Sequence, residues 1–216
     1  KKINLVLDND DELIIVNDGS NDDTLNEIKR EKCILINLEK NMGKGYAMKM
    51  GINKSKNDYI IFLGGDGQDD PNEINLLLKE MQSDYDYVIG SRFLNFDKED
   101  NRFSEKAVLP VNEFGNKSIT FLINLLFNKN ITDSQSEFKC FKADKLKQIN
   151  IESDRFEIET ELLIKAFRNN FKIKEVPVHR YERKHGISKL FNVPFGRFLF
   201  GLKVLRTIIK GYLYWK

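Results

Sequence analysis

The chain has 216 residues, 41% of them hydrophobic and 31% charged, with a formal net charge of +2. That length holds one good core, the composition excludes a disordered chain, and so small a net charge supplies no general field for nucleic acid. Cys33 and Cys140 lie too far apart for a disulfide framework or a zinc site, and His179 and His185 have no partners at metal-ligand spacing. No apolar run reaches the roughly 18 residues of a membrane span.

A sheet of α/β type normally opens on an apolar strand, but KKINLVLDNDDE (1–12) reads as the tail of a helix, so a first strand–helix unit is expected to be missing. From there apolar, β-branched runs alternate with helical patterns. ELIIVND (12–18), CILINL (33–38), DYIIFLGG (58–65) and DYVIGS (86–91) read as strands, and 22–31, 43–55 and 71–83 as helices, the last with Pro71 in its first turn. Residues 93–106 form a long polar loop of the kind that closes over a site. Beyond it come an apolar helix (113–128), an amphipathic helix (156–170), a strand (171–181) and a basic loop (179–190). Such alternation predicts an α/β fold with a mostly parallel sheet covered by helices on both faces, whose ligands sit at the carboxyl ends of the strands.

The polar clusters all follow predicted strands. In VNDGSNDDT (16–24), Asp18 can accept from a base or ribose and Gly19 permits close approach beside Ser20, while Asp22 or Asp23 is equally suited to capping the next helix. NMGKG (41–45) sets Lys44 between two glycines at a helix start, an anion-binding arrangement. GGDGQDDP (64–71) offers Asp66, Gln68, Asp69 and Asp70, oxygen donors of the type that hold Mg²⁺ or Mn²⁺ against a substrate phosphate; one of the last two acids is also placed to cap the helix at Pro71. TDSQSEFKCF (132–141) carries Asp133, Ser136 and Lys139, and HRYERKHGISKL (179–190) carries Arg183, Ser188 and Lys189, a basic loop suited to a diphosphate.

In this order VNDGSNDDT, NMGKGYAMKMGI, GGDGQDDP, VIGSRF, TDSQSEFKCF, FEIETELL and VPVHRYERKHGISKL resemble the family 2 glycosyltransferases of GT-A fold, and within them the polyprenyl-phosphate sugar transferases. The resemblance implies inverting transfer of a sugar from a nucleotide-diphosphate donor to a polyprenyl phosphate. It implies Asp18, Gly19, Ser20 and Lys44 at the donor, Asp66 and Gln68 on Mg²⁺ or Mn²⁺, and Arg183, Ser188 and Lys189 closing over the diphosphate. Asp133 is implied as base or positioning group, with Arg92, Ser136 and Lys139 at the acceptor. Three departures from the family pattern stand out: Gly64 stands where the first acid of Asp-x-Asp is usual, Glu137 where glycine is usual in Ser-Gly-Phe-Arg, and Asn112–Glu113 where an arginine is common. Gly64, Glu137 and the missing first strand leave room for a homologue that binds nucleotide sugar or a partner enzyme without turnover; a family 2 enzyme acting on a different glycan acceptor is the other reading, against which the basic C-terminal helix and the 179–190 loop weigh.

The chain is expected to divide into a catalytic part (1–190) and a basic amphipathic helix (191–216). Phe195, Phe198, Leu199, Leu202, Leu205, Ile209 and Tyr212 share one face of that helix and Lys203, Arg206 and Lys210 another, a pattern that lies in a membrane interface, covers a sheet or joins a dimer. The expected setting is the cytoplasm or the cytoplasmic membrane face, without nucleic acid, and with a homo-oligomer or a membrane-anchoring partner both compatible.

Overall fold

A computed structural model of the chain describes residues 2–94, 110–182 and 196–215. Most of the polar loop over 93–106, and Arg183, Ser188 and Lys189 of the basic loop, lie outside the described residues. After a short 3-10 turn at Ile3–Leu5, the elements run β1 (Ile14–Asn17), α1 (Thr24–Lys29), β2 (Ile34–Asn37), α2 (Lys44–Lys54), β3 (Tyr59–Phe62), α3 (Ile74–Met81), β4 (Tyr87–Ser91) and α4 (Pro110–Phe127). They continue with β5 (Lys139–Lys142), α5 (Ala143–Gln148), α6 (Ile158–Arg168), β6 (Ile173–Pro177) and α7 (Gly196–Leu213). A 3-10 turn at Pro71–Glu73 leads into α3, and Asp70 caps it by accepting from the Asn72 amide at 3.0 Å.

The α/β class and the helices on both faces are as expected, but the sheet is mixed. β3, β5, β4 and β6 form one four-stranded sheet in that order, with β5 antiparallel to both neighbours and β4 parallel to β6; β1 and β2 pair in parallel as a separate ribbon. The unforeseen strand is β5. Its lysine ends make KCFK read as polar, yet Cys140 and Phe141 are fully buried on opposite faces. The chain leaves β4 at Arg92 and re-enters the sheet from the same end, where Arg92 and Asp133 meet, so β5 must run antiparallel. This topology adds residues 133–138 to the functional edge.

Period-2 alternation divides the core between the two faces. Tyr87, Ile89 and Phe141 face a cluster built with Ile123 of α4, Leu162 and Leu163 of α6, and Val204 and Ile208 of α7. Val88, Cys140 and Phe138 face Leu77 and Met81 of α3. Helix α7 packs on α6 through Val204, Thr207, Ile208 and Gly211, and the Arg168 guanidinium donates to the carbonyls of Gly211 and Tyr212 at its carboxyl end. The apolar stripe read from the sequence faces outward: Phe198, Leu199, Leu202, Leu205, Ile209 and Tyr212 are all exposed, as are Phe114, Phe121 and Leu125 of the adjoining α4. Among the described residues, no helix is long and apolar enough to cross a membrane.

Between the ribbon and the main sheet lies a cleft of ≈ 3030 Å³, lined on one side by Ile14–Asn17 and on the other by Tyr59–Leu63. Such a volume exceeds the roughly 300–1,000 Å³ of ordinary ligand sites. No described strand fills the gap, so β1 and β3 each keep one unpaired edge.

Candidate active site

The cleft opens at the carboxyl ends of β1, β3 and β4, where Asp18, Ser20, Lys44, Asp66, Gln68, Asp69, Arg92, Glu137, Glu159 and Arg180 all contribute to its lining. It is built from α6 outward. Glu161, in the first turn of α6, accepts the amides of Glu152 and Ser153 at 2.8 and 2.7 Å and pairs with Lys165 at 2.6 Å, which fixes the 152–154 turn. That turn seats the start of α2: Tyr46 donates to the Asp154 carbonyl at 3.1 Å, and a Cβ on Gly45 would fall 2.9 Å from the Ser153 carbonyl carbon. The two glycines beside Lys44 therefore serve close packing rather than a backbone anion site. The Gly43 amide is also taken, by Asp18.

The Lys44 side chain lines the cleft. Its ammonium lies 2.6 Å from Glu159 and 2.8 Å from Glu137, and Glu159 is shared with the buried Lys139. Burial disfavours the charged lysine, but the two carboxylates outweigh it and raise the Lys44 pKa. Burial likewise pushes Glu137 upward, yet Lys44, with Arg180 and Arg92 behind it, brings its pKa down to about 2.

A second pair stands at the end of β4. Arg92 forks onto Asp133, Nε to Oδ2 at 2.7 Å and Nη2 to Oδ1 at 2.8 Å, with the Arg92 amide also donating to Oδ2 at 3.1 Å. Asp133 is 1% exposed. Its loop is held by Glu175, which accepts from the amides of Thr132 and Asp133 at 2.8 and 2.9 Å. The third pair joins Arg180 to Asp69 (2.7 Å) and to the Gln68 side-chain oxygen (3.0 Å), while the Tyr181 amide donates to the Gln68 carbonyl at 2.8 Å. Next to it, His179 meets the buried Glu73 through both its amide and its ring, a structural tie between β6 and the start of α3.

The structure thus brings Lys44, Asp66 and Arg92 to one cleft, with Asp133 buried behind Arg92, and reassigns several other expected residues. Asp18 lines the cleft, but its carboxylate accepts from the amides of Met42 and Gly43 at 2.6 and 3.0 Å and from the Asn41 side chain at 2.9 Å, closing the loop before α2. The one side-chain oxygen of Gln68 is already bound by a guanidinium, which turns it away from a cation. Ser136 and Lys139, expected at the acceptor, are buried instead: the Ser136 hydroxyl donates to the Gly90 carbonyl at 2.6 Å, and Lys139 is bound to Glu159, because the start of β5 carries both inward. Sequence reasoning passed over Glu159 and Glu175, each an acid adjoining an apolar residue of α6 or β6.

Gly19 is a packing position as well. Its φ is +63°, and a Cβ there would fall 2.5 Å from the Asn41 nitrogen and nearer still to the Lys40 carbonyl carbon. Gly19→Ala is expected to lower stability by about 3 kcal/mol, read as a fall in Tm of roughly 10 °C for a domain of this size.

Gly64 and Glu137 provide the observation that tests a divalent cation. A Cβ built on Gly64 would lie 3.0 Å from Asp69 Oδ2, 3.2 Å from Glu137 Oε2 and 3.3 Å from Asp66 Oδ1, so carboxylate oxygens surround the space a side chain would fill. Among the described residues no set of three acids, histidines or cysteines stands preassembled for a metal. Two carboxylates completed by substrate phosphates and waters is the pattern Mg²⁺ and Mn²⁺ favour, and the residues present fit it.

Acids and cations gathered at the strand ends of an α/β core form a ligand cleft where open α/β sheets place one, and the fold matches that of solved GT-A glycosyltransferases. Residues 2–149 match glycosyl transferase family 2. The chain belongs to that family and is a glycosyltransferase. It is 31% identical over 216 residues to the UDP-N-acetylglucosamine–dolichyl-phosphate N-acetylglucosaminyltransferase of Methanococcus voltae, covering 89% of this chain and 84% of that protein. It is 34% identical over 180 residues to a dolichyl-phosphate β-glucosyltransferase of Trichomonas vaginalis, covering 77% of this chain but only 53% of that longer protein. Among solved structures, the glucosyl-3-phosphoglycerate synthase of Mycobacterium tuberculosis, crystallised with Mn²⁺, UDP and phosphoglyceric acid, matches 94% of this chain and 68% of its own, with a TM-score of 0.71 at 17% identity.

Proposed function

We propose that the protein transfers a sugar from a nucleoside-diphosphate donor to a polyprenyl phosphate at a membrane surface. The observation that carries this reading is a pair of cationic groups on one cleft beside Asp66: Lys44, held by Glu137 and Glu159, and Arg92, backed by the buried Asp133. Two separate cationic groups suit two phosphate-bearing substrates. Lys44 and Arg180 face the donor diphosphate, with Arg183, Ser188 and Lys189 completing the basic loop that follows Arg180, and Asp18, Gly19 and Ser20 bound the nucleoside end. Arg92 orients the acceptor phosphate, and Asp133, with both oxygens committed to Arg92, acts as its positioning residue.

The acceptor is already an anion, so no proton has to be removed. Its phosphate oxygen attacks the anomeric carbon, the bond to the donor diphosphate breaks, and the leaving group carries away the electron pair. Inversion follows from attack opposite the departing group. A bound Mg²⁺ or Mn²⁺ would neutralise charge on the diphosphate as a Lewis acid; Asp66 is the residue to hold it, and Lys44 and Arg180 add fixed positive charge on the same side.

The exposed apolar residues of α4 and α7, with Lys203, Arg206 and Lys210 among them, support peripheral contact with anionic lipid on the cytoplasmic face. The test is purified protein with Mn²⁺, radiolabelled UDP- and GDP-sugars and a short-chain polyprenyl phosphate in anionic vesicles. The expected product is solvent-extractable, mild-acid-labile label that disappears in Asp66→Asn. Label appearing only on a water-soluble acceptor would overturn the lipid assignment, and no transfer from any donor would overturn the transferase reading.

A further inference from the structure

We propose that Glu137 supplies the cation-binding carboxylate that Gly64 lacks, so that Asp66 and Glu137 together hold the divalent ion of the donor. The inference rests on the nucleotide-sugar reading above and assigns its metal to one residue just after β3 and one just before β5. β3 and β5 are antiparallel neighbours with Phe62 opposite Lys139. Beyond the last paired residues, two positions past Phe62 and two before Lys139, Gly64 and Glu137 still lie against each other. Directly opposed residues share a face and bring their side chains within a few ångströms of each other. The contact is present: Glu137 Oε2 lies 3.2 Å from the position of a Gly64 Cβ and Asp66 Oδ1 lies 3.3 Å from it. The acid missing on one strand is thus replaced from across the ladder into the same space.

The neighbouring Asp69 is tied to a guanidinium, whereas Asp66 Oδ1 accepts from the Gln68 amide at 3.1 Å. Asp69 Oδ2 accepts from the Gly64 amide at 2.9 Å and Oδ1 from Arg180 at 2.7 Å. Glu137, by contrast, is oriented for the task, with Oε1 held by Lys44 at 2.8 Å while Oε2 faces the cradle. Gly64 is then required rather than merely tolerated, because an acid at 64 would crowd three carboxylate oxygens.

The test measures Mn²⁺ directly, by electron paramagnetic resonance of bound against free ion, in the presence of whichever of UDP or GDP binds the wild type, with metal-free nucleotide binding followed by calorimetry. Glu137→Gln is expected to weaken Mn²⁺ binding roughly 100-fold, as loss of a direct ligand should exceed the 10–100-fold typical of outer-shell changes. Metal-free nucleotide affinity should stay equal or rise, since Lys44 is released. The exchanged variant Gly64→Asp/Glu137→Gly should recover Mn²⁺ binding to within a few-fold of wild type, including where Glu137→Gln alone does not fold. Wild-type Mn²⁺ affinity in Glu137→Gln, equal loss of metal-bound and metal-free binding, or a folded exchanged variant that binds no Mn²⁺ would each overturn the inference. The first of these, with Asp66→Asn still losing the ion, would leave the donor reading intact. Binding of neither nucleotide by the wild type, with or without Mn²⁺, would instead bring down the donor reading and this inference with it.

Discussion

Asp133→Asn will cost the protein about 3 kcal/mol of stability and at least roughly 100-fold in kcat/KM. The stability loss follows from what is left behind: the Arg92 guanidinium, largely buried, loses the carboxylate that receives Nε and Nη2. Burial works against the charged guanidinium and Asp133 more than offsets it, holding the Arg92 pKa above its usual value. An asparagine keeps one acceptor and forfeits the charge. The activity loss follows from geometry, because a guanidinium no longer clamped on two bonds does not present a fixed fork to a phosphate. Urea unfolding and KM for the polyprenyl phosphate check both halves. If Asp133 orients Arg92, acceptor KM rises and Arg92→Gln shows strong non-additivity with Asp133→Asn. A fall in kcat alone, with a shifted pH profile, would instead make Asp133 a proton acceptor.

Glu159→Gln is expected to be the more destructive change, by about 3–5 kcal/mol. Glu159 is 4% exposed and serves two lysines, one of which, Lys139, is 1% exposed. Burial depresses the Lys139 pKa and Glu159 is the largest influence opposing it. Removing that carboxylate lowers the folded-state pKa further below the unfolded value. The unfolded chain then binds more protons than the folded one, so stability rises with pH across that interval. The deficit of Glu159→Gln is therefore largest near neutrality and shrinks toward pH 9–10, which thermal melts across that range will show. Lys139→Met added to Glu159→Gln should restore much of the loss by removing the unpaired charge.

The strands that precede the polar clusters were legible because each is a short apolar run closed by glycine or asparagine, and their carboxyl ends do form the cleft. What could not be read was which clusters face one another. KCFK, with a lysine at each end, concealed β5, and with it the pairing of Gly64 with Glu137. Each of those residues, met singly in the chain, is only a departure from a pattern; placed in register across two strands they compensate. Ser136 and Lys139 were misplaced for the same reason, since residues opening an unrecognised central strand read as polar loop. Arg180 and Asp69 sit in segments far apart in sequence, and only the bridge between them turns two surface charges into one buried pair.

The unpaired edges of β1 and β3 carry a mechanical consequence. No ladder hydrogen bond links ribbon and main sheet among the described residues; the two halves meet where α2 rests on α5 and where the Tyr46 amide donates to the Asp154 carbonyl. A seam of that kind opens more easily than a sheet interior. The cleft follows the seam, with Asp18 and Ser20 on one bank and Asp66 and Arg92 on the other. A molecule that touches both banks acts as a staple, slowing amide exchange in β1 and β2 while adding little to β4, which is already enclosed by β5 and β6.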